Sequence, residues 1–506
     1  MNPYKGLKEG LKERKKLILT AELLLHYQRC KRRSFLDLHE DLRSRDEPTD
    51  LLLKLQQDKK AHRQSVLAEQ NYQQPDYPKG NWEAGAKATL LLMQQGVDRI
   101  HKGVLLADKQ PGEAIGSSPT PYSLLPTPSS VTLVSRPDLL IKQAGESCFG
   151  DWIYVPAQIE LGKRPKLEYQ IVAAYNAQVL ASVQAADPNT AWLILRRKQA
   201  YCVNLSKSVP QMQRVLEDCI ETIQSPQAPE VFIARQRCNL CRWYSYCYAI
   251  AKSQQHLSLL PGVTPSRYIQ LQALNLTSIE SLAHASSAQL EPVFGEEAGQ
   301  KLVIQAQSVI QNRAILYSSP PPLPIPPSPI ELYFDIEAEP DLKLDYLLGV
   351  LVVDHEAKTE TFHSLLAERA EDEGLIWQQF LDLVWQYPQA PIFHFCSYEV
   401  DTFKRLAKLY NTPRERGSPL LERFVDVYEQ VTQTVALPVE SYALKSIARW
   451  LGFEWHHPQA SGSQCIYWYD KWLETGDRTF LEAIQRYNED DCRATHHVLH
   501  WLVNFS

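Results

Sequence analysis

No stretch of this 506-residue chain is apolar for long enough to cross a bilayer. Its basic N-terminus lacks the hydrophobic core of a secretion signal, so a cytoplasmic protein is expected. A strong charge of one sign is missing too. The 53 basic and 59 acidic side chains leave a net −6, which carries no global signature of nucleic-acid binding. Any basic surface must be local, and Lys5 to Lys16 and Arg29 to Arg33 offer one. Disulfides are not expected of ten cysteines in a reducing compartment, and clustered ones point to a metal or a metal–sulfur cluster. The rest, 44% hydrophobic and 22% charged, describes an ordinary globular protein with room for about three domains.

Against that background one stretch is distinctive. Glu331-Leu-Tyr-Phe-Asp335-Ile-Glu337 closes an apolar run with two carboxylates two residues apart. In a strand, positions i and i+2 share a face. Asp335 and Glu337 then aim two oxygen ligands at one point, as a hard cation such as Mg2+ or Mn2+ requires. A solvated acidic strand end fits the same residues. The proline-rich tract 317–330 just before it reads as a linker, so a new domain is expected to begin at 331.

Upstream, residues 17–44 predict a helix that Thr20 caps and that carries Cys30. Residues 50–72 predict another, with His62 beside Lys59, Lys60 and Arg63, where an exposed histidine on a basic helix is the plainer reading. Branched residues at 100–106 and 130–141 predict strands joined by a Pro/Gly/Ser loop, and the second strand holds Arg136-Pro-Asp138. A strand over 154–163 carries Gln158, Glu160 and Lys163, and a helix over 165–186 carries Gln170. Short strands at 191–195 and 200–205 precede a helix over 207–224. Then comes Cys238-x2-Cys241-x5-Cys247. Two sulfurs at the first spacing share one metal, and a third follows one to two helical turns later. A fourth ligand is missing. Cys30 is one candidate, and His256 in a Cys3His zinc site is the other.

An early cysteine, an Arg-Pro-Asp strand, a second strand, a helix and a C-x2-C-x5-C tail together resemble the RecB-like PD-(D/E)xK nucleases. The resemblance implies an α/β domain over 1–252 and a [4Fe–4S] cluster on Cys30, Cys238, Cys241 and Cys247. It also implies a metal site in which Asp138 is the matching acid and Gln158-Ile-Glu160 stands at the (D/E)-x-K place. Here Gln replaces the acid and Glu replaces the lysine. Lys163 would supply a displaced ammonium, Gln170 the family's glutamine and His62 an upstream ligand. Such a site needs carboxylates for the cation and a lysine beside it. A domain that binds nucleic acid and cuts poorly or not at all is therefore expected.

Residues 253–316 place two short helices around Leu260-Pro-Gly-Val263 and resemble a helix-hairpin-helix module, whose turn offers backbone N–H groups to phosphates. A plain helical spacer fits them equally. From 331 the pattern runs strand 331–337, strand 346–354, strand 358–365, helix 371–386 and strand 391–396, the last leading into Glu399 at its end. Helices follow, with Asp426 and Lys445 on helical segments. In the last helix Tyr487 and Asp491 are i and i+4 and share a face.

This order resembles the ribonuclease H-like DEDD exonucleases in their Tyr variant. The resemblance implies a mixed sheet over 331–506, with Asp335, Glu337, Glu399 and Asp491 holding two Mg2+ or Mn2+ ions. It makes Tyr487 the residue that positions the attacking water, and the activity 3′ to 5′ hydrolysis of DNA or RNA. Glu399 stands where that superfamily usually has Asp. Both resemblances together match a RecB-like nuclease family that joins the two modules in one α/β multidomain chain. The competing expectation is a nucleic-acid scaffold whose chemistry has decayed, with a structural iron–sulfur or zinc site. No membrane is expected among its partners, and the sequence names no protein partner.

Overall fold

The computed structural model describes residues 17–109, 131–317 and 328–505. Lys5 to Lys16, most of the loop expected between the strands at 100–106 and 130–141, and most of the proline-rich tract lie outside the described residues. The chain forms two compact units, Met1–Asp46 with Leu52–Val231, and Glu47–Leu51 with Phe232–Ser506. The sequence reading divides the chain at 252, 316 and 330, whereas compactness divides it near 231.

The strands of the first unit are β1 (Leu17–Thr20), β2 (Arg99–His101), β3 (Leu105–Lys109), β4 (Val131–Ser135), β5 (Leu139–Ser147), β6 (Gly150–Ile159), β7 (Ala191–Ile194) and β8 (Ala200–Val203). They build a three-stranded sheet in the order β1-β4-β3 and a five-stranded sheet in the order β2-β5-β6-β7-β8. The run 130–141, expected as one strand, is two strands in two sheets. Arg136-Pro-Asp138 separates them, since proline has no N–H to give to a ladder. Strands β6 and β7 are parallel and so need a crossover. The helix Leu167–Gln184 supplies it and buries Tyr175, Val179 and Leu180 completely. The expected helix over 17–44 is instead β1 followed by the helices Ala21–Arg29 and Lys31–His39. Thr20 caps the first by accepting from the Leu23 N–H at 3.1 Å. Cys30 stands between the two helices in an extended conformation, which breaks the helical hydrogen bonding there.

The strands of the second unit are β9 (Ile315–Leu316), β10 (Ile330–Glu339), β11 (Leu344–Asp354), β12 (Thr359–Leu366), β13 (Ile392–His394), β14 (Phe424–Asp426) and β15 (Val435–Ala436). Five of them form a mixed sheet in the order β12-β11-β10-β13-β14. Strands β12, β11 and β10 run antiparallel, while β13 and β14 run parallel to β10. Strand β11 is the apolar run Tyr346 to Val353, buried along its whole length and covered on both faces.

Strand β10 sorts its side chains by period two. On one face Phe334 packs on Phe380, with ring centroids 4.6 Å apart. Phe380 is fully buried, and burying such a side chain contributes about 1.5–3 kcal/mol. On the other face Tyr333, Asp335 and Glu337 lie under the C-terminal helix Thr479–Phe505, where Tyr333 meets His496 at 4.8 Å. The sheet's hydrophobic alternation thus places both acids between sheet and helix.

The helices of 253–316 belong to this second unit through buried polar contacts. Gln305 on the helix Glu296–Gln311 donates its side-chain N–H to the Leu437 carbonyl at 2.7 Å and accepts from the Tyr442 hydroxyl at 2.7 Å. Strands β9 and β15 pair beside them. Among the described residues no helix is long and apolar enough to cross a membrane.

Candidate metal centre

Asp335 and Glu337 come from β10, and Asp491 comes from the C-terminal helix. Each offers a carboxylate oxygen within 4.8 Å of the other two. Among the described residues this is the one group of three or more His, Cys, Asp or Glu side chains that converge so closely. Two full charges about 5 Å apart repel by about 3 kcal/mol at an effective dielectric of ~20. Burial, and then the neighbouring carboxylates, accordingly push Asp335 and Glu337 well above the usual carboxylate range. Asp491 is pushed up to about 7, chiefly by burial, although Trp455, Tyr487 and Lys445 pull it back. Three oxygen donors with uncompensated charge are what a hard divalent cation takes.

Glu399 lies close enough to raise Asp335 and Glu337 by its charge, but outside the tight group of three. It was expected at the end of a strand. Strand β13 stops at His394 instead, and Glu399 sits in the first turn of the helix Tyr398–Leu409. Cys396 turns the chain between them with a φ of +74°, a left-handed conformation that costs a non-glycine residue roughly 1–2 kcal/mol. The Cys396 N–H donates to Asp426 Oδ1 at 2.9 Å, and His394 Nδ1 donates to the Cys396 carbonyl at 2.5 Å. Asp426, expected within a helical segment, thus ends β14 and holds this turn. The Glu399 Oε2 atom is buried with no hydrogen-bond partner, and His394 Nδ1 is 3.6 Å away with its proton given to Cys396. An orphaned carboxylate oxygen beside three clustered acids fits a missing cation. Two further acids close by in sequence do not take its place: Asp401 is exposed, and Asp490 binds His456 at 2.7 Å.

Tyr487 lies one turn before Asp491 on the same helix, is buried, and helps to pull the Asp491 pKa down. Burial and the surrounding acids push its own pKa up, so the phenol stays protonated.

Four groups around the acids went unassigned in the sequence. Asn488 donates to Asp335 Oδ2 at 2.6 Å, and Trp455 donates its indole N–H to Asp491 Oδ1 at 2.7 Å. The buried Cys465 thiol stands by Glu337 and pulls its pKa back down. The fourth is Gly349, which pairs with Asp335 across β10 and β11. A Cβ there would come within 1.7 Å of Asn488 Oδ1, so only glycine lets Asn488 reach Asp335. Asn488 follows Tyr487 directly, and a helix-face argument could have found it. Gly349 carried no signal within its apolar run.

A family model of the RNase_H superfamily matches residues 332–503. The C-terminal region is RNase H-like. A region of that kind points to a nuclease, a hydrolase acting on the phosphodiester bonds of nucleic acid, and such nucleases generally use Mg2+ or Mn2+. No curated protein matches this chain.

The acids of the first unit are arranged differently from those of the RNase H-like region. Asp138 and Glu160 are each only 4% exposed. Asp138 Oδ2 accepts the Ile159 N–H at 2.7 Å, and its Oδ1 meets Arg63 Nε at 2.6 Å. Glu160 meets Lys59 Nζ at 3.1 Å. Lys59, His62 and Arg63 stand at i, i+3 and i+4 of the helix Asp50–Leu67, so one face delivers two cations to two acids. The ammonium at Glu160 is therefore Lys59, whereas Lys163 is exposed in the loop after β6. His62 is half-buried, and burial and nearby positive charge hold its pKa down. Gln158 accepts from Asn176 at 3.4 Å, and Gln170 donates to the Pro165 carbonyl at 2.8 Å.

Cys30 belongs to the first unit, while Cys238, Cys241 and Cys247 belong to the second, where they are half-buried around the start of the helix Tyr244–Ser253. His256, the other candidate ligand, has both ring nitrogens engaged, with Ser258 at 2.8 Å and Tyr268 at 3.0 Å, which leaves neither for a metal. In the segment resembling a helix-hairpin-helix, Gly262 takes a φ of +82° just before the helix Pro265–Ala273, and Arg267 donates to its carbonyl at 2.8 Å.

Proposed function

We propose that residues 331–506 form a metal-dependent exonuclease that shortens DNA or RNA from the 3′ end and releases nucleoside 5′-monophosphates. The convergence of Asp335, Glu337 and Asp491 within 4.8 Å, with no cation of the chain inside the group, is the observation that carries this reading. Glu399, with its unpartnered oxygen, is the fourth ligand. Two Mg2+ or Mn2+ ions held there would lower the pKa of the attacking water and stabilise the charge of the leaving 3′ oxygen. The chain's own part is positional. Asn488 and Trp455 orient Asp335 and Asp491, and Cys465 stands by Glu337. Tyr487, protonated and one turn from Asp491, presents a hydroxyl that can orient the water without taking its proton. The test is purified protein with end-labelled single- and double-stranded DNA and RNA, with and without Mn2+, beside the Asp335→Ala variant. Mononucleotides appearing only with metal and only in the wild type support the reading. Absence of cleavage together with absence of metal binding makes the chain a decayed scaffold.

The first unit, in the same proposal, binds nucleic acid and does not cut it. Its carboxylates are already paired with Arg63 and Lys59, so a cation would have to displace two of the chain's own charges to bind. The assignment of a [4Fe–4S] cluster to Cys30, Cys238, Cys241 and Cys247 rests on the resemblance to RecB-like nucleases together with the C-x2-C-x5-C spacing of the last three. Iron and acid-labile sulfide in protein purified without air test it against zinc.

A further inference from the structure

Lys445, in the first turn of the helix Leu444–Trp450, has no part in the exonuclease pattern, yet its charge reaches Asp491. Its ammonium lies 5.2 Å from the ring centre of Trp455 and 5.4 Å from that of Tyr487. A cation over an aromatic face is attracted by the ring's electron density, most strongly for Trp and when partly desolvated. Lys445 is half-buried, so solvent only partly screens it. The same ammonium donates to the carbonyl of Ala460, which closes the segment that carries Trp455. One of the two rings beneath it ends in a donor to a carboxylate, for Trp455 gives its N–H to Asp491 Oδ1 at 2.7 Å.

We infer that Lys445 is a positioning residue of this centre, a fixed cation that clamps Trp455 beside Tyr487 so that the indole N–H holds Asp491 in the geometry a metal ion requires. The inference rests on the metal-dependent reading above. It assigns the chain a cation that acts through an aromatic ring and touches neither substrate nor metal. A side chain serving only as nearby positive charge would have the opposite signature. It would repel Mn2+, so removing it would tighten metal binding. A clamp loosens metal binding when it is removed.

The experiment compares wild type, Lys445→Met and Lys445→Arg. Mn2+ affinity is read by electron paramagnetic resonance of the free ion, and kcat and KM are read on a labelled oligonucleotide. Groups that orient metal ligands typically contribute about 10- to 100-fold to affinity or activity. Lys445→Met should weaken Mn2+ binding and lower kcat within that range while KM stays within about twofold. Lys445→Arg keeps a cation that stacks on aromatic faces and should recover most of both. Tighter Mn2+ binding in Lys445→Met, or an unchanged kcat, overturns the clamp. A raised KM with kcat intact overturns it as well, by making Lys445 a substrate contact. If Lys445→Met does not fold, Trp455→Phe keeps a ring under the cation and removes only the N–H to Asp491. Unchanged Mn2+ affinity in that variant overturns the inference. A wild type that binds Mn2+ but cleaves nothing removes the exonuclease reading, and the Mn2+ measurements still decide the clamp.

Discussion

Two regions of this chain gather buried carboxylates, and their charge is met in opposite ways. In the first unit Asp138 and Glu160 have their own counter-ions, Arg63 and Lys59, delivered from one helix face at 2.6 and 3.1 Å. In the RNase H-like region Asp335, Glu337 and Asp491 converge with no such partner, and burial, then repulsion, raises all three pKa values. Acids paired internally are part of the structure: removing one leaves a partly exposed cation without its partner. Acids left unpaired are held together against their own repulsion by the rest of the fold. They gain stability when an ion arrives from outside. The comparison separates acids that meet cations of the chain, although burial still raises Glu160, from acids that wait for a cation from outside.

The largest expected effect is an exchange of phenotypes between two alanine variants. Asp335→Ala should lower metal-dependent cleavage by on the order of 10²–10³-fold while leaving metal-free stability unchanged or higher. Asp138→Ala should leave cleavage within about twofold but destabilise the first unit by roughly 3 kcal/mol, because Arg63 loses its partner. Nuclease assays and urea unfolding of both variants measure this. Cleavage that survives Asp335→Ala and disappears in Asp138→Ala would invert the comparison.

Metal addition sharpens the same contrast. Mn2+ at a hundred times its dissociation constant should stabilise the second unit by about 2.7 kcal/mol, read as a rise in the melting temperature. Asp335→Ala should abolish the rise and Asp138→Ala should not. Proton competition follows from the raised acids. Asp491 binds its proton up to about pH 7 in the metal-free protein, so a cation must displace that proton at lower pH. Apparent Mn2+ affinity should therefore increase as pH rises through about 7. A flat profile from pH 5.5 to 8 would contradict a raised carboxylate at the centre.

Gly349→Ala probes packing behind the ligands. The added methyl collides with Asn488, which must leave Asp335, and activity should fall about tenfold with the fold retained. The smallest effect is expected of Tyr487→Phe. It removes one hydroxyl, should slow cleavage several-fold to about a hundredfold, and should leave Mn2+ bound. Loss of Mn2+ binding in that variant would make Tyr487 part of the ligand cage rather than a guide for water.

The sequence by itself determined the local rules. Period-two alternation set Asp335 and Glu337 on one face of a strand, and i, i+4 spacing set Tyr487 and Asp491 on one face of a helix. The apolar run at Tyr346 marked a doubly buried central strand, and the RNase H-like order of elements followed from these local patterns. Only the tertiary structure decided how distant groups answer each other. It set Gly349 opposite Asp335, brought Trp455 and Lys445 near Asp491, and moved Glu399 from a strand end onto a helix through a left-handed Cys396. It also put Lys59, rather than Lys163, beside Glu160. The physical reason is range. Backbone periodicity acts over a few residues and is written in them. Charge compensation and steric fit act between side chains tens to more than a hundred residues apart, and no local pattern records which of two lysines, or whether any, will meet a given acid.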